Sequence, residues 1–355
     1  MVSGGTNTAL RLVAVGQMTS TASHAANLAQ VAELCARSAA AGAQLLCVPE
    51  AFSFIGTHFT QTVAQAQPLS GPRLSEYRNL ARQHKLWLSL GGFHEARAPS
   101  APAGAPMRAA TFASAAAEPP AAAEPPHVGA PSPPTAPVEA AAAPASSPRV
   151  FNTHVLLDSD GGTVAAYRKA HLFDVEVPNG PVMLESRYTA PGPAMAVVVD
   201  SPVGKLGLTT CYDLRFPELF TALARRGAEL ILVPSAFTVP TGEAHWHLLL
   251  RARAVETQTF VLAAAQVGRH SETRCSYGHA LAVDPWGRVL ADAGADASPA
   301  LALAHIDLAE LRRVRERMPI GAHRRLDVLA LAAEDVQPAG ATERESAAVE
   351  PEAEA

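Results

Sequence analysis

Three side chains able to do covalent or proton-transfer chemistry fall at the ends of apolar runs in this chain of 355 residues. Glu50 closes Leu45-Leu46-Cys47-Val48-Pro49. Lys169 stands in Tyr167-Arg168-Lys169-Ala170-His171-Leu172-Phe173, just after a short strand pattern that begins at Thr163. Cys211 ends Leu206-Gly207-Leu208-Thr209-Thr210 and precedes Tyr212-Asp213-Leu214-Arg215-Phe216-Pro217, where Pro217 suits the first turn of a helix. In alternating α/β folds, functional side chains collect where strands end and the chain turns toward a helix. Each of the three also has a plainer use. A strand-end cysteine is commonly a small buried hydrophobe, a strand-end glutamate caps or faces solvent, and a lone lysine sits on the surface. A thiol that attacks a carbonyl carbon forms a thioester, which divides the hydrolysis of a poor electrophile such as an amide into two easier steps. Free cysteine has a pKa of about 8.5, so it needs a neighbour that takes its proton.

The elements that would hold these residues read as alternating strands and helices. Residues 10–18 form an apolar strand pattern. Ser23 can cap a helix whose apolar positions Leu28, Val31, Ala32 and Cys35 follow helical spacing, with Gly42 as its stop. The run 43–48 leads to Glu50. Farther on, strand 205–211, a helix from Pro217 with Leu219, Phe220 and Leu223 on one face, the stop Gly227 and strand 229–233 repeat the unit. A helix over 242–256 and a strand over 260–266 follow, then a hairpin-like pair, 279–283 and 289–293, joined through Asp284-Pro285-Trp286-Gly287-Arg288. The pattern predicts strands buried between helices, as two sheets packed face to face.

Composition breaks sharply between residues 98 and 148. This stretch of 51 residues holds 20 Ala and 13 of the chain's 29 Pro, so frequent prolines forbid a helix and little remains to bury. We read it as a disordered insertion inside one domain spanning 10–327, because an apolar strand (86–93) stops just before it and another (150–157) starts just after. Residues 1–9 are read as a flexible start and 328–355 as a disordered acidic tail. From Glu334 onward seven acidic residues face one Arg344, so a formal net charge of −5 leaves about +1 for the rest. No basic face for nucleic acid or anionic membrane is implied. The apolar runs are strand-sized, too short for a membrane-spanning helix of about 20 residues. Four scattered cysteines make neither a disulfide scaffold nor a zinc site, and the start of the chain has no secretory pattern, so a soluble cytoplasmic protein is expected. Cys35 and Cys47 read as core, Cys275 as a loop thiol with no base of its own.

Other chemical signals are weaker. His245 and His247 are two residues apart on a helix and point to different sides, a poor metal pair. Gly91-Gly92 lacks the other glycines of a phosphate loop. Arg251 and Arg253 serve equally well as ion-pair partners of residues such as Glu256 or as a frame for the site.

Together, Cys47-Val48-Pro49-Glu50-Ala51-Phe52, Tyr167-Arg168-Lys169-Ala170-His171-Leu172-Phe173 and Thr210-Cys211-Tyr212-Asp213-Leu214-Arg215-Phe216-Pro217-Glu218 resemble the three catalytic blocks of the carbon–nitrogen hydrolases, the nitrilase superfamily, in the same order. The likeness runs from about residue 10 to 326 apart from the insertion, which departs from the pattern. It implies a four-layer αββα sandwich with Glu50 as general base, Lys169 as oxyanion stabiliser, Cys211 as nucleophile and Glu185 as the second glutamate of the site. The backbone N–H of Tyr212 is a second candidate oxyanion donor. No metal or cofactor is implied, and a homodimer is. Further segments, among them Pro49-Glu50-Ala51-Phe52-Ser53-Phe54-Ile55-Gly56, Phe173-Asp174-Val175-Glu176-Val177-Pro178 and Ser276-Tyr277-Gly278-His279, are similar to those of superfamily amidases that split the 2-oxoglutaramyl amide of deaminated glutathione into 2-oxoglutarate and cysteinylglycine. Such a substrate needs a cationic cradle for its carboxylate, with Arg215, Arg253 and Arg274 as candidates and Phe237 as a wall. Two other readings are an omega-amidase acting on 2-oxoglutaramate, or another nitrilase-type hydrolase, and a non-catalytic scaffold whose insertion and tail recruit partners.

Deleting residues 98–148 is expected to leave folding and amide turnover largely intact. A deletion variant that fails to fold would show that the stretch packs on the core.

Overall fold

The computed structural model describes residues 10–97, 149–176, 182–193, 195–296, 298–325 and 327–328. The expected flexible start, the insertion 98–148 and the tail beyond 328 lie outside the described residues. In chain order the strands are β1 (Arg11–Met18), β2 (Leu45–Val48), β3 (Trp87–Glu95), β4 (Phe151–Leu157), β5 (Thr163–Arg168), β6 (Asp174–Glu176), β7 (Val182–Leu184), β8 (Val197–Val199), β9 (Leu206–Leu208), β10 (Leu230–Leu232), β11 (Phe260–Ala263), β12 (Ala265–Arg269), β13 (Cys275–Tyr277), β14 (Leu281–Val283), β15 (Val289–Asp292) and β16 (Ala300–Ile306). The helices are α1 (His24–Ala40), α2 (Phe59–Gln65), α3 (Pro72–His84), α4 (Pro217–Arg225), α5 (Val239–Thr257), α6 (Leu308–Arg317) and α7 (Ile320–His323). None of these helices is long and apolar enough to cross a membrane.

Two mixed sheets form the centre. One runs β13-β12-β1-β2-β3-β4-β5, with β16 also pairing β1; the other runs β15-β14-β11-β10-β9-β8. The strands nearest the site are nearly all apolar, as strands buried on both faces must be. Alternate residues then divide between two cores. Val13, Val15, Leu45 and Cys47 join Leu206, Leu208, Leu230 and Leu232 between the sheets. Their neighbours Ala14, Leu46 and Val48 pack instead against Val31 and Leu34 of α1 and Leu74 and Tyr77 of α3. Phe220 of α4 and Trp246 and Leu250 of α5 cover the far side of the second sheet. The result is the four-layer αββα sandwich expected from the sequence.

Local signals explain most element ends. Ser23 accepts the Ala26 N–H at 3.3 Å and opens α1, while Gly42 follows that helix at φ 80. β3 and β4 are antiparallel neighbours, with Glu95 opposite Phe151, so residues 98–148 connect adjacent strands of one sheet. Two expectations need correction. The helix expected over 242–256 begins at Val239, because Pro240 fits a first turn. The single strand expected over 260–266 is two strands: β11 pairs parallel with β10 in one sheet, and β12 pairs parallel with β1 in the other. The chain passes between the sheets at Ala264, which is fully buried. There Ser235 N–H donates to Ala264 O at 2.9 Å and Gln266 N–H to Ser235 O at 2.9 Å, which fastens the loop after β10 to the first sheet.

Candidate active site

Glu50 follows β2, Lys169 follows β5, and Glu185 opens a short 3-10 turn after β7. The three meet in the interior. Lys169, only 2% exposed, places Nζ 3.0 Å from Glu50 Oε1 and 2.9 Å from Glu185 Oε2. Asn152 of β4 completes the group: its Nδ2 donates to Glu50 Oε1 at 2.8 Å and to Glu185 Oε1 at 3.1 Å. Backbone donors take the remaining directions, Ala236 N–H to Glu50 Oε2 at 3.1 Å and Phe173 N–H to Glu185 Oε2 at 2.8 Å. A buried carboxylate is tolerated only when it is satisfied in this way.

Cys211 lies at φ 47, in the left-handed region that few non-glycine residues occupy. Its N–H donates to Pro234 O at 2.9 Å, and it lines the same cavity as Glu50. A 3-10 turn over Cys211–Arg215 follows and runs into α4, so the N–H of Tyr212 belongs to an open first turn. Asp213, fully buried, locks this turn to the Lys169 segment. Its Oδ2 accepts from Tyr167 OH at 2.8 Å and Thr210 N–H at 2.9 Å; its Oδ1 accepts from His171 N–H at 3.1 Å and pairs with His171 Nδ1 at 2.7 Å.

Gly91 and Gly92, unsuited to a phosphate loop, clear space beneath the site. A Cβ on Gly91 would come within 1.9 Å of Pro234 Cβ, the residue whose carbonyl accepts the Cys211 N–H. One on Gly92, at φ 67, would come within 2.7 Å of Glu50 Cγ and 2.8 Å of Asn152 Oδ1.

Electrostatics sets the proton positions. Burial alone would push Glu50 up, but the Lys169 charge and the hydrogen bonds from Cys211, Lys169 and Asn152 hold it below the usual carboxylate range. Burial opposes the charge on Lys169, yet Glu185 and Glu50 hold its pKa well above the ordinary lysine value. Burial and the Glu50 charge push the Cys211 thiol well up, against the pull of Lys169 and the Ala236 N–H. The resting pair is therefore a protonated thiol beside an ionised carboxylate. Such a pair can transfer the proton as sulfur attacks.

These groups line a cavity of about 530 Å³, within the range of a small-molecule site. Of the other sequence candidates, Tyr212, Arg215, Phe237 and Arg274 line it too. Arg215 lies over the rings of Tyr212 and Phe237, at 5.8 and 5.6 Å. Arg253 does not line it, which corrects its assignment to substrate binding: the side chain turns inward from α5, donating to Leu214 O at 3.0 Å and pairing with Glu256 at 2.9 Å. Cys35 and Cys47 are buried core and Cys275 is exposed at the cavity edge. Sequence reasoning passed over Asn152, Asp213 and His94. His94 lines the cavity, is pushed down to about 4 by burial, and has no partner for Nδ1 among the described residues. Only Asp213 carried a readable signal, the Thr-x-x-Asp spacing of a capping box from Thr210.

Comparison with known proteins gives the class. Residues 12–114 and 134–316 match the family described as carbon-nitrogen hydrolase. Over 319 residues the chain is 45% identical to the human protein named deaminated glutathione amidase, covering 90% of this chain and 84% of that one. The crystal structure of the Caenorhabditis elegans NitFhit protein superposes with a TM-score of 0.70 at 36% identity, covering 90% of this chain and 66% of that chain. A glutamate-to-glutamine mutant of the amidase from Nesterenkonia sp. AN1, described as showing Michael addition of acrylamide at the active site cysteine, superposes with a TM-score of 0.60 at 26% identity, covering 87% and 98%. The chain belongs to the carbon–nitrogen hydrolases. It is an amidase of the nitrilase superfamily, an enzyme that hydrolyses amides.

Gly92→Ala tests how tightly the floor is built. The added methyl group must displace Glu50 or Asn152, and a misplacement of about 1 Å is enough to lower kcat roughly 100-fold. Steady-state turnover checks this, and a rate within about twofold of wild type would show that the floor yields without affecting Glu50.

Proposed function

We propose that Cys211 is the nucleophile, Glu50 the general base and acid, and Lys169 with the Tyr212 N–H the oxyanion donors of this amidase. The observation that carries the reading is that Cys211, Glu50 and Lys169 line one cavity, with the Lys169 ammonium 3.0 Å from the Glu50 carboxylate. As Sγ bonds to the amide carbon, its proton passes to Glu50 and negative charge moves to the carbonyl oxygen, where Lys169 Nζ and the Tyr212 N–H stabilise it. The C–N bond breaks, the amine leaves with the proton from Glu50, and a thioester remains. Glu50 then takes a proton from water as its oxygen attacks the thioester, and the thiolate recovers a proton as the acid is released. Glu185 touches none of the reacting atoms in this scheme; it positions Lys169.

For the substrate we infer the 2-oxoglutaramyl amide of deaminated glutathione, cut to 2-oxoglutarate and cysteinylglycine. The similarity to amidases of that name supports it, as do Arg215 and Arg274 beside the cavity, cations that suit carboxylates at the ends of such a molecule. Turnover at least tenfold faster on 2-oxoglutaramate would replace this substrate with the smaller one. Four free thiols, three of them buried, fit a reducing cytoplasm. Leu248 and Val255, exposed one above the other along α5, with Trp286 exposed nearby, offer a surface for a second copy, and sedimentation is expected to give a homodimer.

Cys211→Ala is expected to abolish turnover while the unfolding midpoint stays within about 3 °C. Glu50→Gln lowers kcat by about 10²–10⁴-fold. Lys169→Ala lowers the rate and also destabilises by about 3–5 kcal/mol, because it leaves two buried carboxylates without their cation. Mass spectrometry of enzyme quenched with excess substrate should find a 2-oxoglutaryl adduct on the Cys211 peptide; an adduct confined to Cys275 would overturn the assignment.

The pH profile follows from the signs. Glu50, held low, loses its charge only as pH falls below the ordinary carboxylate range, and Cys211, held high, keeps its proton past the ordinary thiol range. kcat/KM is therefore flat from about pH 5 to 8.5. An apparent pKa between 6 and 8 would mean that another group controls the proton.

A further inference from the structure

Away from the cavity, two imidazoles and a carboxylate converge from three separate elements. His247 belongs to α5, His279 to the turn before β14, and Asp292 to the end of β15. One ligating atom from each lies within 4.8 Å of the others. His247 Nε2 is 2.9 Å from Asp292 Oδ2, and His279 Nδ1 is 3.1 Å from both oxygens of the same carboxylate. The imidazoles meet edge to face with centroids 4.9 Å apart, so a nitrogen of each is directed at Asp292.

The backbone holds these groups in advance of any ligand. His279 sits at φ 57. Its N–H donates to Gly294 O at 3.0 Å, and its carbonyl accepts from Trp246 Nε1 at 2.8 Å. The Gly294 N–H in turn donates to Asp292 Oδ1 at 2.8 Å. The Tyr277 ring stacks on His279 at 4.7 Å. His245 takes no part: its Nδ1 lies 3.3 Å from Arg215 at the cavity side.

We propose that His247, His279 and Asp292 bind one divalent transition-metal ion, with Zn²⁺ the best match to two imidazoles and a carboxylate. A tetrahedral zinc ion with bonds of about 2.0–2.2 Å holds its ligand atoms roughly 3.3 Å apart. The two nitrogen–oxygen separations are already close to that figure, and small side-chain rotations bring the nitrogens nearer. Water fills the remaining position. The ion would join α5 to the β14–β15 hairpin. Val239, Pro240 and Thr241 at the start of α5 line the cavity, so the ion would brace its wall without touching the reacting atoms.

The test is zinc binding to the full chain near neutral pH, by competition with a chromophoric chelator and by calorimetry, against three variants that keep all four cysteines. His247→Ala, Asp292→Asn and His279→Asn are each expected to weaken the site at least tenfold; asparagine is chosen at 279 because it tolerates a positive φ. Zinc at a hundred times its Kd should raise the wild-type unfolding midpoint by about 5 °C and leave the variants unmoved. Undetectable zinc binding by the wild-type chain, or variants that bind as tightly as wild type, would mean that the three side chains are only hydrogen-bonded to one another.

Discussion

The ammonium of Lys169 lies between the carboxylates of Glu50 and Glu185, all three nearly shut off from solvent. Neither carboxylate could stay ionised there alone, since an uncompensated buried charge costs several kcal/mol and the group would take up a proton instead. One cation against two anions still leaves excess negative charge. Asn152 answers this without adding charge, by giving one N–H to each glutamate, and the N–H groups of Ala236 and Phe173 add dipoles at Glu50 Oε2 and Glu185 Oε2. Glu50 thereby remains ionised although it is buried.

That arrangement constrains backbone well beyond it. The lysine, the cysteine and the two glutamates come from four different strand ends, and each must be fixed to a fraction of an ångström. Asp213 does this between two of them, tying Tyr167 and His171, on either side of Lys169, to the turn that starts at Cys211. The crossing at Ala264 does it between the sheets, because Gln266, just past it, donates to the Glu50 carbonyl at 2.9 Å while its N–H holds Ser235 beside Ala236. Gly91 and Gly92 contribute by what they lack: any side chain there would collide with Pro234 or Glu50.

What the sequence disclosed follows from which of these constraints are local. Glu50 and Cys211 stand out because apolar runs end at them, and the layers follow from strand and helix periodicity, which needs only neighbours in the chain. Glu185 had no pattern of its own in Leu184-Glu185-Ser186 and was reached through family likeness alone. Asn152 is hidden within a strand, and its importance comes from two glutamates 102 and 33 residues away. Arg253 was misplaced because its helix shows arginines at both 251 and 253, and only packing decides that 253 turns inward to Leu214 while 251 reaches Gly287. The strand over 260–266 was read as one because no turn residue interrupts Ala263-Ala264-Ala265; the switch of sheets is set by partners, β10 on one side and β1 on the other.

The raised Cys211 thiol is the least intuitive feature of the cavity, and it follows from the same cluster. A lone lysine beside Cys211 would favour thiolate, but here burial and the charge of Glu50 outweigh it. In the proposed mechanism the nucleophile would therefore be kept as the neutral thiol until an amide carbonyl arrives. In that mechanism, a carbonyl oxygen gaining charge beside Lys169 would draw the cation from the carboxylates toward the new anion, and Glu50, losing part of its counter-charge, would become a stronger base at the moment the thiol proton must leave. A preformed thiolate would lack this coupling and would react with any electrophile that entered the cavity; under the proposed roles, storing the proton on sulfur would tie reactivity to a substrate that can place an oxygen at Lys169.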